Sequence, residues 1–164
     1  MPMRAFLFPG QGSQSSAAAK SVFEEVDDAL SQKLSTLMFE GPADELTLTA
    51  NAQPAIMAHS LAVLRVMEAE AGLVLSERAA FVAGHSLGEY SALCAAGSLN
   101  LADTARLLRV RGDAMQAAVP VGEGAMAALL GLSFEDAMAA AKEATTAEEI
   151  CVAANDNADG QVVV

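Results

Sequence analysis

Basic residues are scarce in this chain. Nine Lys and Arg stand against 21 Asp and Glu, giving a formal net charge of −12 over 164 residues. No stripe of Lys or Arg is present, which argues against a nucleic-acid partner. A partner that is itself acidic would need a local basic patch, and the sequence displays no obvious one. There are only two cysteines, Cys94 and Cys151, with neither metal-ligand spacing nor a disulfide framework. Both read as buried thiols in a reducing compartment, so a cytoplasmic location is expected. The longest apolar stretches are broken well short of a membrane span, and no membrane is expected as a partner. A strand-like run begins after three residues, without the basic flank and apolar core of a signal peptide. Internal repeats are missing too.

What remains is a globular composition, 53% hydrophobic and 18% charged, of a length that buries one sizeable core. The chain is organised around Ala80 to Tyr90. The apolar run Ala80 to Ala83 predicts a buried strand. Gly84-His85-Ser86-Leu87-Gly88 fits G-x-S-x-G, and an alanine-rich helical stretch follows. Strand, tight turn and helix are the context in which this pattern means a nucleophile elbow, with the serine hydroxyl pushed out at the bend. Glycine is expected at both Gly84 and Gly88 because a Cβ there would clash with neighbouring backbone. Ser86 is the expected nucleophile, and the Leu87 amide at the helix start is free to stabilise an oxyanion. An incidental serine in a glycine-containing loop is the alternative.

Arg4 to Phe8 reads as a short strand ending at Pro9-Gly10-Gln11-Gly12-Ser13-Gln14. That loop is either an ordinary turn or a functional edge of the kind open α/β sheets keep at the ends of their strands. Residues 20 to 38 carry apolar positions at helical spacing, and Ala43 to Leu46 make one more turn. The next helix is expected to start near Thr49 or Asn51 with Pro54 in its first turn. It is apolar nearly all round from Ile56 to Met67. Within it His59 reads as a structural residue, and Gln53 at the entrance either faces a site or is a capping-region polar group.

Asn100 and Asp103 open a helix running to about Ala118. At 100° per residue, Leu107, Leu108, Ala114, Met115 and Ala118 fall within about 60° of Arg111. Arg106, Arg109 and Asp113 fall on the other side, where Arg109 and Asp113 are placed to pair. Arg111 thus projects from an apolar stripe. A buried guanidinium needs an anion, either a protein carboxylate or a ligand one, unless the side chain snorkels. Past Pro120 the expected order is strand (Ala125 to Leu130), helix (Ser133 to Ala144), strand (Ile150 to Ala154), turn (Asn155 to Gly160) and strand from Gln161. Val162 to Val164 is read as a strand with no following partner, which invites aggregation. The expected fold is α/β: a parallel-sheet core with the elbow over residues 1–119, then the first half of a ferredoxin-like α+β subdomain over 120–164.

Three stretches together, Phe8 to Gln14, Gly84 to Tyr90, and Arg111-Gly112 followed by Gly124-Ala125-Met126-Ala127, resemble the malonyl-CoA:acyl carrier protein transacylases in order and separation. The likeness extends to Gln53-Pro54-Ala55 and to Asn155 through Val164. It implies a hydrolase-like core and transfer of malonyl from malonyl-CoA to the thiol of acyl carrier protein, in fatty-acid synthesis, through a malonyl ester on Ser86. By the same resemblance Arg111 clamps the malonyl carboxylate, the amides of Gln11 and Leu87 form the oxyanion hole, and Gln53 and Asn155 line the pocket and the pantetheine side. No metal or redox cofactor is implied. Two departures stand out. The loop after Gln14 is shorter than the family's, and the family's catalytic histidine lies beyond Val164. The chain is therefore read as part of a transacylase. An esterase or thioesterase, and a non-catalytic fragment, are the rival readings.

Overall fold

The computed structural model describes residues 16–120 and 122–164. The chain divides into two units that part between Ala118 and Val119. Among the described residues, the first unit is helical. Helix α1 (Ala17–Leu30) buries Val22, Phe23 and Val26 on one stripe, as the spacing of its apolar residues requires. The predicted single helix over 20–38 is in fact two. Ser31 turns left-handed at φ 50°, and α2 (Leu34–Glu40) follows. The break is fixed by Asp27, whose carboxylate accepts hydrogen bonds from the Ser35 amide at 2.8 Å and the Ser35 hydroxyl at 2.7 Å. A buried acid satisfied in this way holds the first turn of α2 in place of continued helix.

Helix α3 (Ala43–Thr47) leads into the long α4 (Thr49–Ala71), which begins earlier than expected and carries Pro54 one turn in. A four-residue turn, α5 (Leu75–Arg78), precedes the bend from which α6 (Leu87–Ala95) starts. Helix α7 (Leu101–Ala118) is opened by Asn100, whose side-chain oxygen accepts from the Asp103 amide at 2.7 Å. Helices α1, α4 and α7 pack mutually. Alanines at the contacts (Ala19, Ala55, Ala58, Ala62, Ala105) let the axes approach, while Leu34, Met57 and Leu108 fill the space between. Full burial of each of those larger side chains contributes about 1.5–3 kcal/mol.

The apolar run Ala80 to Ala83 forms no strand, and Phe81 is 92% exposed. Apolar content alone does not make a strand; a ladder partner does, and none of the described residues supplies one. The predicted strand Arg4 to Phe8 lies outside the described residues.

In the second unit β1 (Ala128–Leu130), α8 (Phe134–Ala144), β2 (Asn155–Ala158) and β3 (Gln161–Val163) follow one another. Ser133 caps α8 by accepting from the Asp136 amide at 3.1 Å. The sheet is antiparallel with order β1-β3-β2. The expected third strand is thus the central one, paired on both sides; Val162 is buried in it, and α8, whose Ala137 and Ala141 are buried, packs against the same strand. The second strand also lies further along than expected. Asn155 to Ala158 is strand and not turn, because Asp159-Gly160 alone makes the reversal, with Gly160 at φ 73°. Ile150 to Ala154 runs as loop, pinned where Thr145 Oγ accepts from the Cys151 amide and donates to its carbonyl.

Candidate active site

The bend at Ser86 is strained. Ser86 takes φ 56°, ψ −120°, a region that costs a non-glycine residue on the order of 1–3 kcal/mol. Its side chain is exposed. The backbone folds so tightly that a Cβ on Gly84 would lie 1.9 Å from the Gly88 carbonyl oxygen and 2.5 Å from the Glu89 nitrogen. The clash expected at both glycines falls on Gly84 alone: a Cβ on Gly88 meets nothing within 4 Å. Gly88 matters as the backbone that Gly84 must approach. Behind the bend, the Gly88 amide donates to His85 O and the Glu89 amide to Ser86 O. The Leu87 amide, the first of α6, finds no acceptor among the described residues.

Arg111 reaches this hydroxyl from α7. Its Nη2 donates to Ser86 Oγ at 3.0 Å, and its Nη1 donates to Gln53 Oε1. Gln53 is 3% exposed on α4. Its amide nitrogen donates back to Thr49 Oγ1 at 2.8 Å and toward Met115 Sδ at 3.3 Å, which fixes its carbonyl toward the guanidinium. Arg111 takes part in no salt bridge among the described residues. The fork is therefore oriented by neutral acceptors and its charge is left unmatched, a state that favours a carboxylate ligand.

What brings α7 this close to α4 is Gly112. A Cβ there would stand 2.7 Å from Ala50 Cα and 2.8 Å from Thr49 O. Sequence reasoning did not anticipate this role, although a glycine inside an otherwise good helix, next to Arg111, was a signal of close packing. Arg109 also departs from the expected pairing. It is half-buried and bonds Asn51 and Gln32, with no pairing to Asp113. Arg106 does face water, paired with Asp103 at 2.8 Å.

The remaining expected residues lie elsewhere. Gln11 is outside the described residues. Asn155 is exposed on β2, in register with Val163 of the second unit. His85 is exposed and precedes Ser86, and His59 is half-buried in α4. An apolar cavity of about 360 Å³ lies between α4, α6 and the segment leading to the bend, lined by Leu64, Phe81, Leu87 and Ser91 among others. Neither Ser86 nor Arg111 lines it. Among the described residues no cluster of His, Cys, Asp or Glu is arranged to hold a metal, and no helix is long and apolar enough to cross a membrane.

The chain was compared with known proteins. A family model described as acyl transferase domain matches residues 5–164. The malonyl CoA-acyl carrier protein transacylase of Bacillus subtilis (strain 168) is 48% identical over 170 residues, covering 98% of this chain and 52% of that protein. The one from Escherichia coli (strain K12) is 42% identical over 174 residues, covering 100% of this chain and 55% of that protein. Among solved structures, the acyl-carrier-protein-S-malonyltransferase of Bartonella henselae superimposes with a TM-score of 0.81 at 61% identity, covering 95% of this chain and 52% of that one. The chain spans about half the length of the curated relatives it matches. A family match from residue 5 to residue 164, together with a bend and an arginine that meet at one serine, places this chain in the acyl transferase domain family.

Proposed function

We propose that this chain carries the nucleophile and the acyl clamp of a malonyl-CoA:acyl carrier protein transacylase of fatty-acid biosynthesis. The observation that carries this reading is the 3.0 Å contact from the Arg111 guanidinium to Ser86 Oγ, with no protein carboxylate on the guanidinium among the described residues. Ser86, at a nucleophile elbow, attacks the thioester carbonyl of malonyl-CoA. The oxyanion is held by the Leu87 amide, the first of α6, and, by resemblance, by the Gln11 amide. The CoA thiol leaves. The phosphopantetheine thiol of acyl carrier protein then attacks the malonyl ester and releases Ser86. Arg111 binds the free carboxylate of the acyl group, which orients it and disfavours neutral acyl groups, since those leave a half-buried guanidinium unmatched.

Malonyl-CoA is a substrate in this scheme, and the chemistry needs no metal or redox cofactor. The proton of Ser86 requires a base. His85, one residue before the nucleophile, and His59, inside α4, do not take that role. The family's histidine, by resemblance, falls in the part of the relatives' length that this chain does not span. The hydrolase-like core over residues 1–119, the ferredoxin-like subdomain over 120–164, a pantetheine-side role for Asn155 and a cytoplasmic setting belong to the same proposal. The Bacillus subtilis transacylase and the Bartonella henselae malonyltransferase that the chain resembles support the transacylase reading. So does a solved malonyl-transacylase in complex with its acyl-carrier protein, 39% identical with a TM-score of 0.78.

The test is Arg111→Ala in the intact enzyme, read by mass of the acyl group on Ser86. Malonyl uptake should fall about 100-fold and acetyl uptake should rise, as expected for loss of a charged, bidentate contact. An unchanged malonyl preference refutes the clamp, and hydrolysis outpacing thiol transfer points to an esterase.

A further inference from the structure

Helix α7 meets the first turn of α4 at three places. Gly112 lies against Ala50 and the Thr49 carbonyl. On one side of Gly112, Arg111 and Met115 reach Gln53. On the other side, Arg109 reaches Asn51 Oδ1 at 2.9 Å with Nη1, and Gln32 Oε1 with Nη2. On the helical wheel Gly112 falls between the two arginines, so they straddle the contact.

We infer that Arg109 is a positioning residue for acyl selectivity. It pins the crossing of α7 over α4 and so sets where the Arg111 fork stands above Ser86. The inference rests on the roles assigned above to Ser86 and Arg111. At the Gly112 crossing itself a glycine on bare backbone supplies closeness without interlock, because that residue has no side chain to enter a groove of α4. A roll of α7 about its axis is magnified at the tip of a side chain as long as arginine's, and misplacement by about 1 Å costs roughly 100-fold in a positioned reaction. Arg109 blocks the roll from the side opposite Arg111. Its two partners are themselves joined, Gln32 Nε2 donating to Asn51 Oδ1 at 3.3 Å, and Asn51 Nδ2 is anchored on Glu45 O at 2.9 Å. The ring ties α7 to the α1–α2 turn and to α3. Both of Arg109's acceptors are neutral amides, so the planar geometry of the guanidinium, more than its charge, is what the ring uses.

The test is a double-mutant cycle in the intact enzyme. Arg109→Met keeps the apolar stem and removes the donors. The ratio of kcat/KM for malonyl-CoA to that for acetyl-CoA should fall about tenfold, and Arg109→Lys should restore only part of it. In the Arg111→Ala background the same change should leave the ratio as it was, because Arg109 acts through Arg111. A role in folding alone lowers both rates together and leaves the ratio intact. That result overturns the inference, and so does an equal loss of ratio in both backgrounds. If Arg109→Met does not fold, Gln32→Leu opens the ring from the α1–α2 turn and is judged by the same criteria. A parent enzyme that takes up no malonyl sinks the functional reading itself, which is a separate outcome.

Discussion

Replacing Gly84 by alanine tests the bend more sharply than replacing the nucleophile, because it leaves every reacting group in place. The added Cβ would sit 1.9 Å from Gly88 O, 2.0 Å from Gly88 C and 2.5 Å from Glu89 N. All three are backbone atoms, so no side chain swings away to make room. Ordinary contact begins near 3.4 Å, and the two backbones must separate by about 1.5 Å. Gly84 is not among the positive-φ residues, so the penalty comes from space and not from torsion. Overpacking of this kind costs about 1–3 kcal/mol, which lowers Tm by roughly 2–4 °C per kcal/mol at this chain length. The larger effect is on chemistry. Ser86 lies between the two displaced backbones, and a shift near 1 Å in a positioned nucleophile costs on the order of 100-fold.

The assay pairs a thermal melt with the rate at which malonyl appears on Ser86, for Gly84→Ala and Gly88→Ala side by side. Gly88 stands at the second position of α6, with nothing near its missing Cβ among the described residues. Alanine there gains up to about 1 kcal/mol of helix propensity, so its acylation rate should stay within about threefold of the parent, with Tm level or raised. Gly84→Ala should be slowed about 100-fold. If it acylates within threefold of the parent, or if both variants fail alike, the bend does not position Ser86 as described.

Two further outcomes follow from the same geometry. Gln53→Glu should raise the KM for malonyl-CoA about tenfold or more with little change for acetyl-CoA, since a carboxylate beside Arg111 supplies internally the anion the fork otherwise takes from its ligand; competition measured at several malonyl-CoA concentrations checks this. Burial pushes the Cys94 thiol pKa up, against lowering contributions from its hydrogen bond with Thr104 and from Arg65. The folded state then holds a proton that the unfolded state releases above about pH 8.5, so stability falls as pH rises through that range. Cys94→Ala should flatten the fall in Tm between pH 8 and pH 10, and an unchanged slope would exclude the thiol as its source.

Features whose cause is local were legible in the sequence. The bend at Ser86 is written into five consecutive residues, and the Ser133 cap into four. Helical phase alone did not find the buried face of α7. Of the stripe drawn around Arg111 only Leu108 is buried, and Leu107, Ala114, Met115 and Ala118 are exposed. Arg111 is half-buried at the edge of the face formed by Leu101, Thr104, Ala105, Leu108 and Gly112. Features caused by remote partners were not legible. Helical phase put Arg109 toward water because it gives an angle and not a neighbour; Gln32 and Asn51 arrive from other elements. Gly112 owes its place to Ala50 and the Thr49 carbonyl, which lie against it from another helix. The Ala80 to Ala83 run had the composition of a buried strand, but composition does not supply the ladder. The hairpin is a different matter, since Asp159-Gly160 is itself a strong two-residue turn signal, and it alone makes the reversal that the sequence reading spreads over Asn155 to Gly160.

The choice of glutamine at position 53 joins these threads. An arginine that must recognise a carboxylate faces two opposite failures. Left alone it wanders among rotamers, and the entropy of ordering it falls on each binding event. Paired with a protein carboxylate it is ordered but already satisfied. A buried amide avoids both, because its carbonyl accepts one N–H and fixes the plane of the fork without cancelling the charge. Here Thr49 Oγ1 and Met115 Sδ hold the amide nitrogen, so Gln53 is itself ordered before Arg111 leans on it. The cost is a half-buried positive charge with no protein carboxylate among the described residues, whose second nitrogen rests on Ser86 Oγ. Under the proposed clamp role that cost is recovered when an anionic acyl group arrives, and a neutral one leaves it standing. On this argument selectivity for a carboxylate comes less from the arginine, which would bind many anions, than from the neutral residue that aims it at Ser86.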